Sequence, residues 1–259
     1  MRTSDHEPDS IPGVRKQERL SVILDRVAER GSVEVNDLAS ALGVSGATVR
    51  RDLQALSSGK LLVRTHGGAM ARLVDTGDRA SHLAEKRRIG AAAARLVDRG
   101  AVVGLTGGTT ALEVARALAH RSDITFVTNA INIASELVGR PGLRLVVIGG
   151  IVRSSFELVG PAAEAMLANY HFDIAFIGVD GLTPQEGCTT HDEIEAQTDL
   201  AFLRRARRSI VVADSSKIGK VKFARICTVS DVDDIITDRG VTGEQLRSLS
   251  SVGAQVTTV

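Results

Sequence analysis

The chain is 259 residues long, 43% hydrophobic and 24% charged, with 32 Lys and Arg against 31 Asp and Glu. That length suits one large domain, or a small domain joined to a medium one. It holds no apolar run of the roughly 18 residues that crossing a membrane requires, and its acidic start is unlike a signal peptide. Two cysteines cannot build a structural zinc site, so a reducing cytoplasm is the expected location, and 3% aromatics without Trp disfavour single-strand binding by base stacking.

Charge is uneven along the chain. Residues 1–13 carry a net −2, residues 14–72 a net +4 and the remainder −1. A basic N-terminal quarter on a near-neutral body points to a polyanionic partner for that quarter alone.

Residues 1–13 hold two of the five prolines and no apolar period, which predicts a disordered tail. Leu20, Ile23, Leu24, Val27 and Ala28 then share one helical face over about 15–30, and Gly31 is placed to end that helix. Ser32–Val35 alternates briefly. Asn36 or Asp37 is the expected cap of a second short helix that buries Leu38, Ala39 and Leu42 and stops at Gly43. Ser45 is the expected cap of a third, burying Val49, Leu53 and Leu56 and ending near Ser58-Gly59. Residues 61–69 read as a strand running into a glycine turn. Three short helices followed by a strand and turn make a winged helix-turn-helix, placed at 14–71, with a polar linker at 72–84.

From residue 85 to 259 the rhythm changes to alternating strands and helices. Apolar runs fall at 102–105, 124–127, 143–148, 174–178, 209–213 and 235–237, with helical stretches near 86–97, 110–119, 132–138, 161–168 and 192–207. Continuous apolar strands between helices imply a mostly parallel sheet covered on both faces, an α/β domain larger than the first.

On the third helix, inward Val49, Leu53 and Leu56 turn Ala47, Arg51 and Gln54 outward, with Arg50 beside them and Thr48 and Asp52 on the flanks. Adjacent arginines beside the small Gly46 and Ala47 suit entry into a major groove, where arginine forks onto guanine or clamps phosphate. Ser45, Thr48 and the helix-start amides can take a phosphate oxygen. The alternative is a solvated Arg50-Arg51-Asp52 face with an internal ion pair.

In the second domain the strand 102–105 runs into Thr106-Gly107-Gly108-Thr109-Thr110 and a helix. Glycines let amides approach an anion, and the helix start and threonine hydroxyls add donors, which is how a phosphate is cradled. A tight strand-to-helix turn is the bland alternative. The segment is neither a P-loop nor a dinucleotide fingerprint, so no cofactor is expected. Thr128-Asn129, Asp180-Gly181 and Asp214–Lys217 also close strands, where open α/β sheets bind ligands. Lys217 is a cation for phosphate; Asp180 and Asn129 suit sugar hydroxyls.

Residues 15–69 resemble the DNA-binding domain of the DeoR family of bacterial transcription regulators. The pattern is carried by Leu38-Ala39, Val44-Ser45, Thr48-Val49-Arg50-Arg51-Asp52-Leu53, Leu56, Gly59, Arg64 and His66-Gly67-Gly68-Ala69. The resemblance implies helix 45–58 as the recognition helix and leaves Arg64 and His66 as wing residues near phosphate or a domain junction. Residues 85–238 resemble the family's effector domain through Glu85-Lys86, Gly108-Thr109-Thr110, Thr128-Asn129, Gly149-Gly150, Gly160-Pro161, Asp173 through Gly181, and Asp214–Lys217. This implies a fold similar to ribose-5-phosphate isomerase and a phosphorylated sugar as signal. Where the family often has Asp-Ser ahead of Gly-Thr-Thr, this chain has Thr106-Gly107, so an acidic sugar contact is expected to be lost.

An aldose–ketose isomerase needs a base with acid partners. Asp180 is followed by Gly181-Leu182-Thr183-Pro184 rather than a run of acids, and Glu186, His191 and Glu193 read as loop residues rather than replacements. The expectation is a non-enzymatic homodimer or homotetramer with two partners: double-stranded operator DNA and a phosphorylated sugar effector. The sign expected is repression of a carbohydrate operon, with an isomerase carrying a DNA-binding appendage as the alternative.

Overall fold

The computed structural model describes residues 16–30, 32–58, 62–65, 67–71 and 81–259. The expected tail, His66 and residues 72–80 of the expected linker lie outside them. Two compact units, 1–77 and 78–259, divide the chain.

The first unit runs α1 (Lys16–Arg30), β1 (Ser32–Glu34), α2 (Val35–Leu42), α3 (Gly46–Ser58), β2 (Leu62–Thr65) and β3 (Gly68–Ala71). The strands form a small antiparallel sheet in the order β1-β3-β2. Ile23 and Val27 of α1, Leu38 of α2, Val49, Leu53 and Leu56 of α3 and Leu62 of β2 make one core, so the helical periodicity read from the sequence is the packing face. The capping expectation for α2 is corrected. The helix starts at Val35, its N-cap is Glu34, and no side chain caps it. β1 runs directly into α2, and the Val35 N–H donates to the Gly67 carbonyl at 2.8 Å; a backbone acceptor does what Asn36 or Asp37 was expected to do. Gly43 ends α2 in the left-handed conformation, φ 62°.

The second unit begins with α4 (Leu83–Ala94), β4 (Val102–Leu105), α5 (Thr109–Leu118), β5 (Thr125–Thr128), α6 (Ile131–Leu137) and β6 (Arg144–Val147). A hairpin of β7 (Ile151–Val152) and β8 (Leu158–Val159) precedes α7 (Pro161–Leu167) and β9 (Ile174–Gly178). Then come β10 (Gly181–Thr183), β11 (Gly187–Thr190), α8 (Glu193–Arg204), β12 (Ser209–Val212), β13 (Ala224–Cys227), β14 (Asp234–Thr237), α9 (Gly243–Ser250) and β15 (Gln255–Thr258).

Seven strands form a parallel sheet in the order β15-β14-β12-β9-β4-β5-β6. One core packs Ile89 of α4, Leu112 of α5 and Ile133 of α6 on one face, and the other packs Leu167 of α7, Phe202 of α8 and Leu249 of α9 on the opposite face. β9 divides between them, with Ile174 and Phe176 to the first and Ala175 and Ile177 to the second. This is why its sequence is apolar throughout rather than alternating.

The chain builds outward from β4 through β5 to β6, then returns to β9 on the other side of β4 and builds outward again to β15. The order therefore reverses between β4 and β9, and the crevice beyond their carboxyl ends is the expected ligand position in such a sheet. Four features were not predicted: α9, the polar edge strand β15, the two-residue strands β7 and β8, and an antiparallel sheet β10-β11-β13. In the last, Cys188 and Cys227 are register partners, both buried and free. α4 starts at Leu83, inside the stretch expected to be linker. Among the described residues no helix is long and apolar enough to cross a membrane.

Candidate DNA-recognition and effector sites

Ser45 starts α3 as expected. Its Oγ accepts the Thr48 N–H at 3.1 Å, and the Thr48 hydroxyl lies 2.9 Å away. Ala47, Arg50, Arg51 and Gln54 are exposed and Gly46 and Thr48 partly so. Gly46 has ordinary backbone geometry, and a Cβ there would meet Val35 at 3.5 Å and the Arg50 guanidinium at 3.7 Å. Its smallness thus leaves room on the outer face rather than serving the fold.

Two residues have different roles from those expected. Asp52 is not on a solvated flank but is 2% exposed, and Arg19 of α1 donates to it through Nε at 2.5 Å and through a second guanidinium nitrogen at 3.2 Å. The periodicity put it at the rim, and the crossing of α1 over α3 closed that rim. A forked Arg–carboxylate pair of this kind fixes the angle between two helices. Arg64 of β2 donates to the Gln54 Oε1 at 2.7 Å, tying the wing to α3. Arg50 and Arg51 have no such pairing among the described residues, so the intrahelical Arg–Asp52 ion pair is absent.

In the second unit the glycine loop lies at the sheet's reversal point. The Gly178 N–H at the end of β9 donates to the buried Thr106 hydroxyl at 2.9 Å. A Cβ on Gly178 would come within 2.3 Å of the Gly107 carbonyl, so the two strand ends touch because Gly178 has no side chain. Gly108 caps α5 with φ 104°, a conformation that L side chains rarely adopt. The next amides, at the start of a ten-residue helix, have no acceptor within the helix. Thr109 is partly exposed and Thr110 is 7% exposed.

Around this loop stand four carboxyl groups. Glu157 follows the β7–β8 turn, Asp180 follows β9, and Glu195 and Asp199 are one turn apart on α8. The Glu157 segment is laid along the end of β5, with Ile131 N–H on the Phe156 carbonyl at 2.9 Å and Leu158 N–H on the Asn129 carbonyl at 2.8 Å. Arg153 pairs with Asp192, the residue that caps α8, and the Ser155 hydroxyl donates to Glu195 at 2.6 Å. Asn129 Nδ2 donates to Glu157 at 3.1 Å. Thr190 donates to Asp180 at 3.1 Å, and Lys217 lies 3.6 Å and His191 3.8 Å from Asp180.

Burial, reinforced by the charge on Glu195, pushes the Glu157 carboxyl up to about 8, against the opposing hydrogen bonds from Asn129 and the Gly107 N–H. Burial and the neighbouring carboxylates also push Asp199 up. Lys86, 1% exposed, lies 3.8 Å from the equally buried Asp214, behind the 215–217 turn. A hollow of about 520 Å³ at the opposite ends of the strands is a weaker candidate. Its charges satisfy one another, Arg208 on Asp234 at 2.7 Å and Arg207 on Asp173 at 3.7 Å.

Residues 19–72 match the DeoR-like helix-turn-helix model, and residues 81–239 match the DeoR C-terminal sensor domain. The chain belongs to the DeoR family of transcriptional regulators. It is 37% identical over 248 residues, 92% of each chain, to a protein of Escherichia coli O157:H7 whose name describes an aga operon repressor. It is 29% identical over 231 residues, 87% of this chain and 92% of the other, to the glycerol-3-phosphate regulon repressor of Escherichia coli K12. Among solved structures, ribose 5-phosphate isomerase A of Methanocaldococcus jannaschii is 22% identical with a TM-score of 0.41, covering 53% of this chain and 55% of that one.

In this DeoR-family chain the residues expected at the effector site do gather at the carboxyl ends of β4, β5, β9 and β12, with two qualifications. Thr128 is fully buried and its hydroxyl accepts the Ala130 N–H at 3.1 Å, so it shapes the turn rather than facing a ligand. The acid missing from 106–107 has a counterpart from elsewhere in the chain. A Cβ on Gly107 would fall 2.1 Å from the Glu157 carboxyl, so Glu157 occupies the space a side chain at 107 would have filled. Glu157, Glu195 and Asp199 were missed because each lies on an element whose own pattern gives it no role. The absence of acids directly after Asp180 therefore does not make the site poor in acids.

Proposed function

We propose that the chain is a repressor of a carbohydrate-use operon that grips double-stranded operator DNA through α3 and is released by a phosphorylated sugar. Arg50 and Arg51 read or clamp the major groove, with Gly46 and Ala47 allowing close approach and Ser45, Thr48, Arg64 and His66 as the phosphate contacts. Gln54 acts through Arg64, holding the wing against the recognition helix.

In the second domain, the amides of Gly108, Thr109 and Thr110 take the phosphate with Lys217 at its side, and Asn129, Asp180 and Glu157 read the sugar. The observation that carries the reading is the joining, in one chain, of an exposed arginine face on a capped helix to an open glycine loop at the sheet's reversal point. The name of the glycerol-3-phosphate regulon repressor supports a small phosphorylated signal. A symmetric dimer or tetramer in the cytoplasm presents paired helices to repeated half-sites. The ligand shifts the population between DNA-competent and DNA-incompetent arrangements because its affinity for the two differs.

The test is fluorescence anisotropy with duplex DNA from upstream of the chain's own gene, titrated with phosphorylated sugars and their free counterparts. Release by a phosphorylated sugar and not by its free form supports the reading; indifference of the DNA complex to every phosphorylated sugar counts against it. The buried carboxyls keep one second reading open, isomerisation of a sugar phosphate. A coupled ketose–aldose assay separates the two, and no turnover is expected.

A further inference from the structure

The carboxyl groups around the glycine loop are out of balance with what surrounds them. Glu157, Glu195 and Asp199 are 7%, 6% and 3% exposed, and no arginine reaches any of them among the described residues. Lys217 and His191 lie on Asp180, and Arg153 is engaged by Asp192. Hydrogen-bond acceptors are in surplus as well. Asn129, fully buried, gives its Nδ2 to Glu157 and to the Leu158 carbonyl, and its Oδ1 is left without a donor. Asp199 Oδ1 is likewise buried without a donor. An orphaned buried acceptor costs about 1–3 kcal/mol, so the Asn129 oxygen beside the loop calls for a further donor.

Backbone geometry adds a further sign. Phe156, immediately before Glu157, is at φ 69°, a conformation that costs a bulky side chain energy and is held where it positions something. Here it turns Glu157 toward Gly107. A metal ion does not fit as the missing cation, because no three His, Cys, Asp or Glu side chains converge to hold one among the described residues.

We propose that the effector is zwitterionic, a phosphorylated sugar with a free primary amine, its phosphate on the amides of 108–110 and its ammonium against Glu157, Glu195 and the Asn129 oxygen. This rests on the effector reading above and names its chemical class. An ammonium brings donors and no acceptor, and its charge replaces the proton that Glu157 holds while the pocket is empty. Hydroxyl groups alone would supply acceptors where acceptors are already in excess. Because the Glu157 carboxyl abuts Gly107, the amine and the phosphate lie within the span of one sugar.

Isothermal titration of the full chain tests this with glucosamine 6-phosphate against glucose 6-phosphate, galactosamine 6-phosphate against galactose 6-phosphate, and the N-acetylated form of each amine. In at least one series the free amine is expected to bind about tenfold tighter than both neutral forms, as a charge-assisted hydrogen bond gives. Glu157→Gln, and separately Glu195→Gln, is expected to collapse that ratio, because the free amine loses more affinity than the hexose phosphate does. Equal or tighter binding of the neutral forms in both series overturns the zwitterion and leaves the phosphate reading standing. So does a ratio that survives in both variants. Failure of all six probes to bind folded protein overturns the zwitterion, and the phosphate reading is then decided by the operator-release titration.

Discussion

Arg50 and Arg51 stand exposed on one helix, a few positions from the serine that caps it, whereas the groups around Gly107 are buried and drawn from segments spread across more than half the chain. A surface that meets DNA needs only a helix held at the right angle, and its working residues can be neighbours in sequence. A pocket for a small ligand must be walled on several sides, so its residues arrive from several loops and meet only after folding. The same difference decides how each unit fails. Substitution on the first unit's outer face should leave its core intact, while substitution around Gly107 should alter packing and charge together.

The largest effect is expected where the first unit's surface depends on its interior. Asp52→Ala removes the carboxylate on which the Arg19 guanidinium forks and is expected to cost on the order of 3 kcal/mol, the low end for a broken buried pair because Arg19 keeps some contact with water. Thermal unfolding of the full chain should show the loss in the transition of the DNA-binding unit. If that transition does not move, the pair is not what holds α1 on α3.

On the exposed face, Arg51→Ala is expected to weaken operator binding by roughly 1–3 kcal/mol without shifting the melting temperature. Unchanged affinity at matched salt removes Arg51 from the interface. In the second unit, Gly108→Ala forces a φ of 104° on an L side chain, a strain of about 1–3 kcal/mol. The phosphate loop is expected to open, with the loss of ligand-induced stabilisation read by thermal shift. Lys217→Ala should be milder, with operator binding intact and release by ligand needing more ligand. Identical release curves would make Lys217 a loop residue.

The second unit also carries a pH dependence. Glu157 has an ordinary value near 4.5 and is held at about 8 in the folded chain. Between these values the folded state keeps a proton that the unfolded state has released, so this group makes stability fall as pH rises from about 4.5 to 8. Glu157→Gln should flatten that slope, matching the parent at pH 5 and exceeding it at pH 8. A slope unchanged by the substitution would place the titration elsewhere.

The described core of the first unit was legible. Period-3.6 spacing named Ile23, Val27, Leu38, Val49, Leu53 and Leu56, and all are in its core. The cap at Ser45 and the stop at Gly43 followed from residue chemistry. Asp52 was misplaced because a face computed for one helix cannot know which neighbour crosses it. In the second unit, strands buried on both faces were recognisable by their unbroken apolar runs. β15 was not, since an exposed edge strand has no apolar signature, nor were β7 and β8, which are too short to show a period. The site divided in the same way. Gly107, Gly108, Asn129, Asp180 and Lys217 stand just beyond strand ends and were named as candidates by that position, while Glu157 sits in a turn between two two-residue strands and carries no local signal.

The sequence by itself determined the two-part organisation, the winged helix-turn-helix with its arginine face, the parallel sheet and the loops that close its strands. These follow from periodicity, capping and turn chemistry, all of which act over a few residues. Only the tertiary structure decided that Asp52 is buried under Arg19, and that Glu157 fills the space Gly107 leaves. Only it gathered four carboxyls and an orphaned amide oxygen around one glycine loop. Burial and electrostatic balance are sums over everything within a few ångströms, and what lies within a few ångströms is set by chain crossings that no local pattern encodes.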